Sequence, residues 1–373
     1  MPSQPRVTII GAGILGASAA WHLARAGARV TLLDPMLDGR ATAAGAGIVC
    51  PWPSTRTDPR WYDLAAAAAR AYPALIDALA AEGETDTGYR VVGALILPGP
   101  DGTLDETEAR LRTRLPQAPE AGTVTRLPPG GARALVPPLH PDLPALHLSG
   151  GARVDGRRLA ASLLRAAQRH GARLVPAAAT ALLLDGPRIA GAATAEATFE
   201  ADETLLCAGA WAPPLLAPLG LALPVEPQRG QIAHLHLRGA ATEAWPVLLP
   251  LSGHYLLAFE DGRVVAGATR ETGSGFDHRL TASGVAEVLN NALAIVPGLA
   301  DATLLEIRIG LRPLGPALPP LLGRAPDFQG LTIGNGLGPT GLTIGPFAGR
   351  LLAELVLGGE PAFPLADYAP IPR

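Results

Sequence analysis

The chain has 373 residues, of which 48% are hydrophobic and 4% aromatic, and it carries a formal charge of −3 at pH 7. That length exceeds what one hydrophobic core usually serves and predicts two intergrown domains. A slightly acidic chain without a basic stripe lacks the footprint of a nucleic-acid binder, so no nucleic-acid partner is expected. The apolar content is mostly Ala and Leu, interrupted by 44 Gly and 38 Pro. No run of about 18 or more apolar residues is free of charge or proline, so no membrane span is expected. Cys50 and Cys207 alone cannot build a disulfide framework, and the first strand begins too early to leave room for a signal peptide; the expected compartment is the cytoplasm. All 30 basic residues are arginine. Schiff-base chemistry on a protein lysine is therefore impossible. Every fixed cation able to hold a carboxylate must be an arginine or a protonated histidine.

Val7-Thr8-Ile9-Ile10 is apolar and β-branched and predicts a buried strand. Gly11-Ala12-Gly13-Ile14-Leu15-Gly16 follows at once, then a helix-forming stretch from Ala17 to Ala26, a stop at Gly27, and a second strand, Arg29 to Leu33, closed by Asp34. This is a βαβ unit with a G-x-G-x-x-G turn in the required place. Gly11 allows the sharp turn out of the strand, Gly13 lets a pyrophosphate approach the backbone, and Gly16 lets the helix lie close to the sheet. The helix N-terminus offers free N–H groups and a partial positive charge. Asp34, about 20 residues on, is placed to accept hydrogen bonds from ribose hydroxyls. An acid there suits NAD or FAD and argues against NADP; the unit by itself leaves the first two open.

The stretch from Gly39 to Val49 is rich in Gly and Ala and suits either close approach to something flat or charged, or a plain loop. Trp61 to Gly83 predicts an amphipathic helix kinked or broken at Pro73. Val91 to Leu97 predicts a strand, Leu104 to Leu115 a charged helix, and the Pro-rich Leu127 to Leu146 irregular chain. Gly156 to His170 reads as a helix capped by Gly171, Ala172 to Leu184 as strand, Asp185-Gly186-Pro187 as a turn, and the chain to Phe199 as strand pieces. Glu203 to Cys207 is a buried strand ending in Ala208-Gly209-Ala210-Trp211. Beyond Pro224 strands dominate: Gln231 to Leu237, then a hairpin of Tyr255 to Phe259 and Arg263 to Ala268 turned at Asp261-Gly262. Leu280 to Ile295 is helical and Leu304 to Ile309 a strand. Leu331 to Gly334 is a strand entering a second Gly-rich turn, Gly334 to Gly341, with a helix from Pro346 to Leu357 behind it. The fold class is α/β (α+β overall). A discontinuous Rossmann-type dinucleotide-binding domain (1–85, 147–222 and 308–373) carries an inserted antiparallel-sheet substrate domain (86–146 and 223–307).

His234 and His236 share a strand face by period two, but no third ligand is evident and no metal is expected. Trp52, Trp211 and Trp245 read as packing residues. Cys50 reads as a small buried residue, with a thiol near the cofactor as the alternative.

Several segments together carry a resemblance: the opening unit, Ala44 to Val49, Leu205 to Trp211, Pro227-Gln228-Arg229-Gly230-Gln231, Gly262 to Thr269, Gly310-Leu311-Arg312-Pro313 and Gly334 to Pro346. In this order and spacing the chain resembles, over nearly its full length, the FAD-dependent D-amino-acid oxidase/dehydrogenase superfamily, on the branch of glycine oxidase, sarcosine oxidase and D-amino-acid dehydrogenase. The resemblance implies FAD rather than NAD, held without a covalent bond. Gly11, Gly13, Ile14, Leu15, Gly16, Asp34 and Pro35 would hold its ADP part, with the backbone at Thr180 on the adenine side. Thr42, Ala43, Gly47, Ile48 and Val49 would run beside the flavin, and Gly209 would also meet the cofactor. Leu337, Gly338, Pro339, Thr340, Gly341, Leu342 and Thr343 would present backbone N–H groups to the flavin O2 region, with a helix N-terminus behind them.

The resemblance also implies that Arg312 pairs bidentately with a substrate carboxylate and that Tyr255 adds a hydroxyl to it. Arg270 would stand where glycine oxidase has a Met beside the substrate side chain. Read without the family, Arg312 is a strand-end arginine, Tyr255 a cross-strand aromatic, and Arg270 a partner for Glu271 in a solvent salt bridge. The implied chemistry is hydride transfer from the Cα of an amino acid or secondary amine to flavin N5, with the imine hydrolysing to a keto acid or aldehyde. It needs placement more than a protein base, so no catalytic residue is nominated. The chain departs from the family at Leu337, where a His is usual, at Ile309, where an aromatic is common, and at Leu314-Gly315-Pro316-Ala317, which replaces Thr-Pro-Asp. No cysteine there offers a covalent flavin link, and no lysine is present for oxygen activation. These departures favour a dehydrogenase passing electrons to a quinone or carrier over an oxidase using O2. Competing expectations are a 2-hydroxy-acid dehydrogenase of the same fold, a flavin-carrying subunit of a hetero-oligomer, and an NAD dehydrogenase; a homo-oligomer is the further partner expected.

Overall fold

The β-branched run at the start forms the strand Arg6–Ile10, buried from Val7 onward on both faces. The computed structural model describes residues 4–99, 103–316 and 319–371. Ala317 and the outermost residues of the expected dinucleotide domain lie outside them. The opening strand pairs in parallel with Arg29–Leu33 on one side and Glu203–Leu206 on the other. Because the chain leaves it in both directions, the crevice beyond Ile10 is a topological switch point, where open α/β sheets bind ligands. Arg173–Val175 and Leu331–Asn335 extend the sheet in parallel, and Leu321–Arg324 closes one edge antiparallel, giving six strands.

A second sheet of eight strands runs in the order Thr303–Leu314, Glu226–His236, Arg263–Gly267, Tyr255–Ala258, Val247–Pro250, Ala94–Leu97, Ala145–Leu148, Val124–Leu127. It is antiparallel except where Val247–Pro250 lies parallel to Ala94–Leu97, a correction to the purely antiparallel expectation. Thr303–Leu314 is one continuous strand, so the domain boundary expected at 308 falls inside it. The strand expected from Val91 to Leu97 is split at Gly93, whose φ of 81° breaks the extended run. The Pro-rich stretch expected to be irregular holds two of the sheet's strands at its ends. Gly39 to Val49 is not a plain loop: it contains the helical turn Ala41–Ala44 and the short strand Ile48–Val49.

Both prolines expected to limit helices sit inside them. Pro73 lies within the continuous helix Pro59–Ala81, whose N-cap Asp58 accepts from the Arg60 N–H. This helix has the length and apolar composition of a membrane span. It buries Trp61, Leu64, Ala65, Ala68, Tyr72 and Leu79 against the rest of the chain, as a core helix does. Pro346 lies within Gly341–Val356, which starts five residues earlier than the sequence predicts. Its missing N–H leaves the Leu342 carbonyl without a helical donor. The buried Tyr72 hydroxyl donates to that carbonyl instead, and Ser18 Oγ donates to the Pro346 carbonyl at 2.6 Å. The first and last long helices cross on small residues: a Cβ on Gly349 would lie 2.6 Å from the Leu15 carbonyl oxygen, and one on Gly345 would lie 2.8 Å from Ile14 Cγ2.

His234 and His236 do not make a pair. A bulge follows His234, whose side chain is 3% exposed with both ring nitrogens lacking a partner. Burial, then the positive charge of Arg308, pushes its pKa down to about 4, with Glu306 opposing and Arg263 and Arg157 reinforcing.

Two predictions follow from these contacts. Tyr72→Phe strands the Leu342 carbonyl and lowers the unfolding free energy of the holoprotein by about 1–3 kcal/mol; an unchanged urea midpoint would remove the hydroxyl from that role. For His234 the unfolded state protonates first, near pH 6.5, so its contribution to stability is intact above that pH and is lost as pH falls towards 4. The loss is at most about 3 kcal/mol. Urea melts of His234→Leu between pH 6.5 and 4.5 should show a flatter pH dependence than the parent chain.

Candidate active site

A cavity of about 450 Å³ opens at the carboxyl end of the opening strand and runs between the two sheets. The glycine turn shapes one end. Gly11 has φ 101° and its N–H donates to the Leu33 carbonyl at 2.9 Å; a Cβ there would lie 2.5 Å from the Cys207 carbonyl oxygen. Gly16 lies beneath the turn, 1.9 Å of virtual Cβ distance from the Gly11 oxygen, and serves packing rather than the cavity wall. Gly13 is the extended N-cap of Ile14–Arg25 and has no side chain of its own to cap that helix. The Ile14 N–H donates to Thr42 Oγ1 at 3.0 Å. Asp34, 6% exposed, uses one carboxylate oxygen on the Ala12 N–H and the other on the Met36 N–H, each at 2.6 Å. The acid thus holds the glycine turn as well as lining the cavity.

The second Gly-rich turn closes the other side. Gly341–Val356 also has no side-chain cap, and Gly338, Pro339, Gly341, Leu342 and Thr343 line the cavity ahead of or within its first turn, with Leu337 before them. The Asn335 amide donates to the Gly209 carbonyl at 2.9 Å, tying this turn to the end of Glu203–Leu206. Two helix N-termini therefore meet one elongated cavity whose walls are rich in glycine and alanine. That is a cradle for an extended anionic cofactor with a flat ring system, and FAD fits it. Gly11, Gly13, Ile14, Leu15, Asp34 and Pro35 line the glycine-turn end with Thr180 nearby, while Thr42, Gly47, Ile48 and Gly209 line the middle.

Three residues expected beside the cofactor have side chains off the cavity wall. Ala43 sits on the far face of the Ala41–Ala44 turn, where its carbonyl accepts from Arg157 Nε at 2.7 Å. Val49, 1% exposed, points into the core because strand alternation puts it opposite Ile48. The Thr340 hydroxyl donates to the Leu337 carbonyl at 2.9 Å and faces the Trp61 indole. Cys50 is buried off the cavity wall and Cys207 is on it; burial pushes both thiols up, so neither is a ready nucleophile.

At the other end, Arg312, Tyr255 and Arg270 all line the cavity. Arg312 Nη1 donates to the Thr269 carbonyl at 3.0 Å. Its guanidinium lies over Gly230, where a Cβ would come within 2.5 Å, and the Tyr255 ring likewise needs the bare Cα of Gly267. Burial pushes the Arg312 pKa down, opposed by the adjacent Tyr255, whose own pKa burial raises. The Arg270–Glu271 salt bridge does not form. Glu271 pairs with Arg229 at 2.6 Å and accepts from Gln231 and Thr269 at 2.7 Å each. Arg270 Nη2 donates to the Gly253 carbonyl at 2.5 Å, and among the described residues it makes no ion pair.

Sequence reasoning missed three residues here. Trp211 lines the cavity as well as packing, its ring tilted against Phe276 at a centroid distance of 5.4 Å. Arg40 lines it beside the Ala41–Ala44 turn. Arg56 lies over the Trp61 ring at 4.7 Å, and its pKa is lowered by burial and then by the charge of Arg270. Its flanking sequence has no periodicity, so only the lack of a nearby unpaired acid could have singled it out.

The model of the family described as FAD dependent oxidoreductase (DAO) matches residues 6–355. Glycine oxidase of Pseudomonas aeruginosa is 37% identical over 99% of both chains. The uncharacterized oxidoreductase YurR of Bacillus subtilis is 47% identical over 97% of both. The crystal structure of iminodiacetate oxidase from Chelativorans sp. BNC1 superposes with a TM-score of 0.96 at 56% identity, covering 98% of this chain and 99% of that one. With a cradle that fits FAD and an arginine-bearing end beside it, the chain belongs to the DAO family of FAD-dependent oxidoreductases, on its glycine oxidase branch.

Proposed function

We propose that this oxidoreductase oxidises a small carboxylate-bearing amine, a primary amino acid or a secondary amine, to the imine, which water converts to an oxo acid and the released amine or ammonia. The observation that carries the reading is Arg312, with Tyr255 beside it, at the end of the cavity remote from the glycine turn. Glycine oxidase and iminodiacetate oxidase relatives support the same substrate type.

Gly11, Gly13, Asp34 and the two helix N-termini would hold FAD non-covalently, Cys50 being off the wall and protonated. Bound FAD supplies a two-electron acceptor for the hydride leaving the substrate Cα. Arg312 fixes the carboxylate through parallel N–H donors, and Tyr255 adds its hydroxyl. The positive field of Arg312 and Arg270 disfavours an ammonium beside them, so the amine enters the reaction with its lone pair free. Among the described residues, the walls at this end contribute no histidine or acidic side chain, and none is needed once the amine is neutral. For the electron acceptor, the chain's lack of lysine supports a quinone or carrier, whereas the oxidase relatives support O2.

The test is anaerobic mixing of the holoprotein with glycine, sarcosine, iminodiacetate and the D- and L-amino acids, followed by admission of air. Bleaching of the flavin by an amine is expected; rapid recovery in air marks an oxidase and slow recovery a dehydrogenase. Bleaching only by 2-hydroxy acids, or by nothing, would overturn the reading in favour of a hydroxy-acid enzyme or an inert flavin subunit. Arg312→Ala removes a charge-assisted pair and should raise KM for carboxylate substrates about 100-fold; an unchanged KM would remove it from the site. Asp34→Ala frees the Ala12 N–H and loosens the glycine turn, so FAD should be held about 10- to 100-fold less tightly, read from the flavin remaining after dilution and gel filtration.

A further inference from the structure

The cationic end of the cavity carries more charge than one carboxylate can answer. Arg312 and Arg270 both line it, and Arg56 lies behind, packed flat on Trp61 and within electrostatic reach of Arg270. Among the described residues, neither Arg270 nor Arg56 is in an ion pair. The nearest acid, Glu271, has its oxygens committed to Arg229, Gln231 and Thr269. The strand-and-bridge geometry explains that commitment: Arg229 and Glu271 form a two-way backbone bridge, which turns Glu271 away and leaves its neighbour Arg270 facing the cavity. One Arg270 donor is anchored on the Gly253 carbonyl, which fixes the guanidinium and leaves its other donors free. A lone guanidinium of this kind at a cavity wall would usually be offset by an acid of the protein; here no acid among the described residues pairs with it.

Resting on the reading of the site as an amine-oxidising one, we infer that Arg270, backed by Arg56, is a second carboxylate subsite, and that the preferred substrate is an amine carrying two carboxylates. Arg312 holds the carboxylate on the carbon that is oxidised. Arg270 holds the other, borne on the amine nitrogen or on the side chain. In the nitrogen-linked case a hydride leaves the Cα with two electrons to FAD, the nitrogen lone pair closes the C=N bond, and the N–H proton is lost. One water then adds and the C–N bond breaks, giving a 2-oxo acid and a primary amino acid. Neutralising two guanidiniums with one dianion also explains why a simple monocarboxylate is the poorer fit: it leaves Arg270 desolvated by the bound ligand without a partner.

Substrate competition and ligand binding test this separately from the oxidation itself. On the holoprotein, kcat/KM for iminodiacetate or aspartate should exceed that for sarcosine or alanine by about 100-fold; which of the two dicarboxylates leads tells whether the second carboxylate rides on nitrogen or on the side chain. In Arg270→Met that ratio should fall about 100-fold, and Arg270→Lys should restore part of it. Thiodiacetate, an unreactive analogue with sulfur for nitrogen, should perturb the flavin spectrum at far lower concentration than methylthioacetate in the parent chain, with the difference lost in Arg270→Met. No preference for dicarboxylates in the parent chain, or a preference that survives Arg270→Met, overturns the subsite. If no amine reduces the flavin, the amine-oxidation reading fails while thiodiacetate binding still decides the subsite.

Discussion

The contact on which the rest of the molecule depends is the crossing of the helices Ile14–Arg25 and Gly341–Val356. Their backbones approach closely because Gly345 and Gly349 present no side chain to Ile14 and Leu15. Ser18 then reaches the Pro346 carbonyl, and Tyr72 supplies the hydrogen bond that Pro346 denies to Leu342. The consequence is electrostatic. Two helices more than 300 residues apart in the chain end their N-termini at one cavity, neither capped by the side chain of its own N-cap residue. Uncapped N–H groups at the surface would be met by water; in this cleft they form a fixed, preorganised field for an anionic ligand. A bulkier residue at Gly349 would separate the two positive ends, and the cradle would lose its shape before it lost any of its residues.

The cofactor end and the substrate end are joined by a single strand. Thr303–Leu314 pairs along its length with Glu226–His236, bringing Arg312 opposite Gln228. Its Leu311 N–H also donates to the Gly39 carbonyl at 2.8 Å, and Gly310 packs on Ala44. Gly310 and Leu311 thus touch the Gly39–Ala44 loop beside the cofactor cleft, and the next residue presents the Arg312 guanidinium to the cavity. The position of the Arg312 guanidinium relative to the cleft is set by covalent geometry over one residue step.

Much of this was legible in the sequence because the signals were local. The opening βαβ unit could be read from Val7 to Asp34 since each glycine there answers a backbone requirement, and the hairpin at Asp261-Gly262 followed from its turn residues. The failures have physical causes of their own. Pro346 is a sound helix-start signal only if its missing donor is replaced by nothing; Tyr72, far off in the chain, replaces it. The motif sets Ala43 and Val49 beside the cofactor without fixing which way a side chain points, and helical rotation and strand alternation turn each side chain away from the wall that its neighbour lines. Arg270 and Glu271 are adjacent and opposite in charge, and so invited pairing. Adjacent residues on an extended chain face opposite ways, and Glu271 is claimed from across the sheet by Arg229.

That last arrangement decides the character of the site. A chain whose cations are all arginine cannot tune a buried positive charge by losing its proton, as a lysine can; a guanidinium stays charged wherever it is placed. Arg229 is therefore matched by Glu271 and Asp277, Arg263 by Asp155, and Arg308 by Glu306. Against this pattern of paired guanidiniums around the large sheet, Arg312 and Arg270 stand out as cations on a cavity wall, met by backbone carbonyls and a phenol rather than by a carboxylate. Carbonyls orient a guanidinium without cancelling its charge. The fold commits its acids around the large sheet to the cations that hold it together, and on the proposed reading the negative charge that completes the site comes with the substrate.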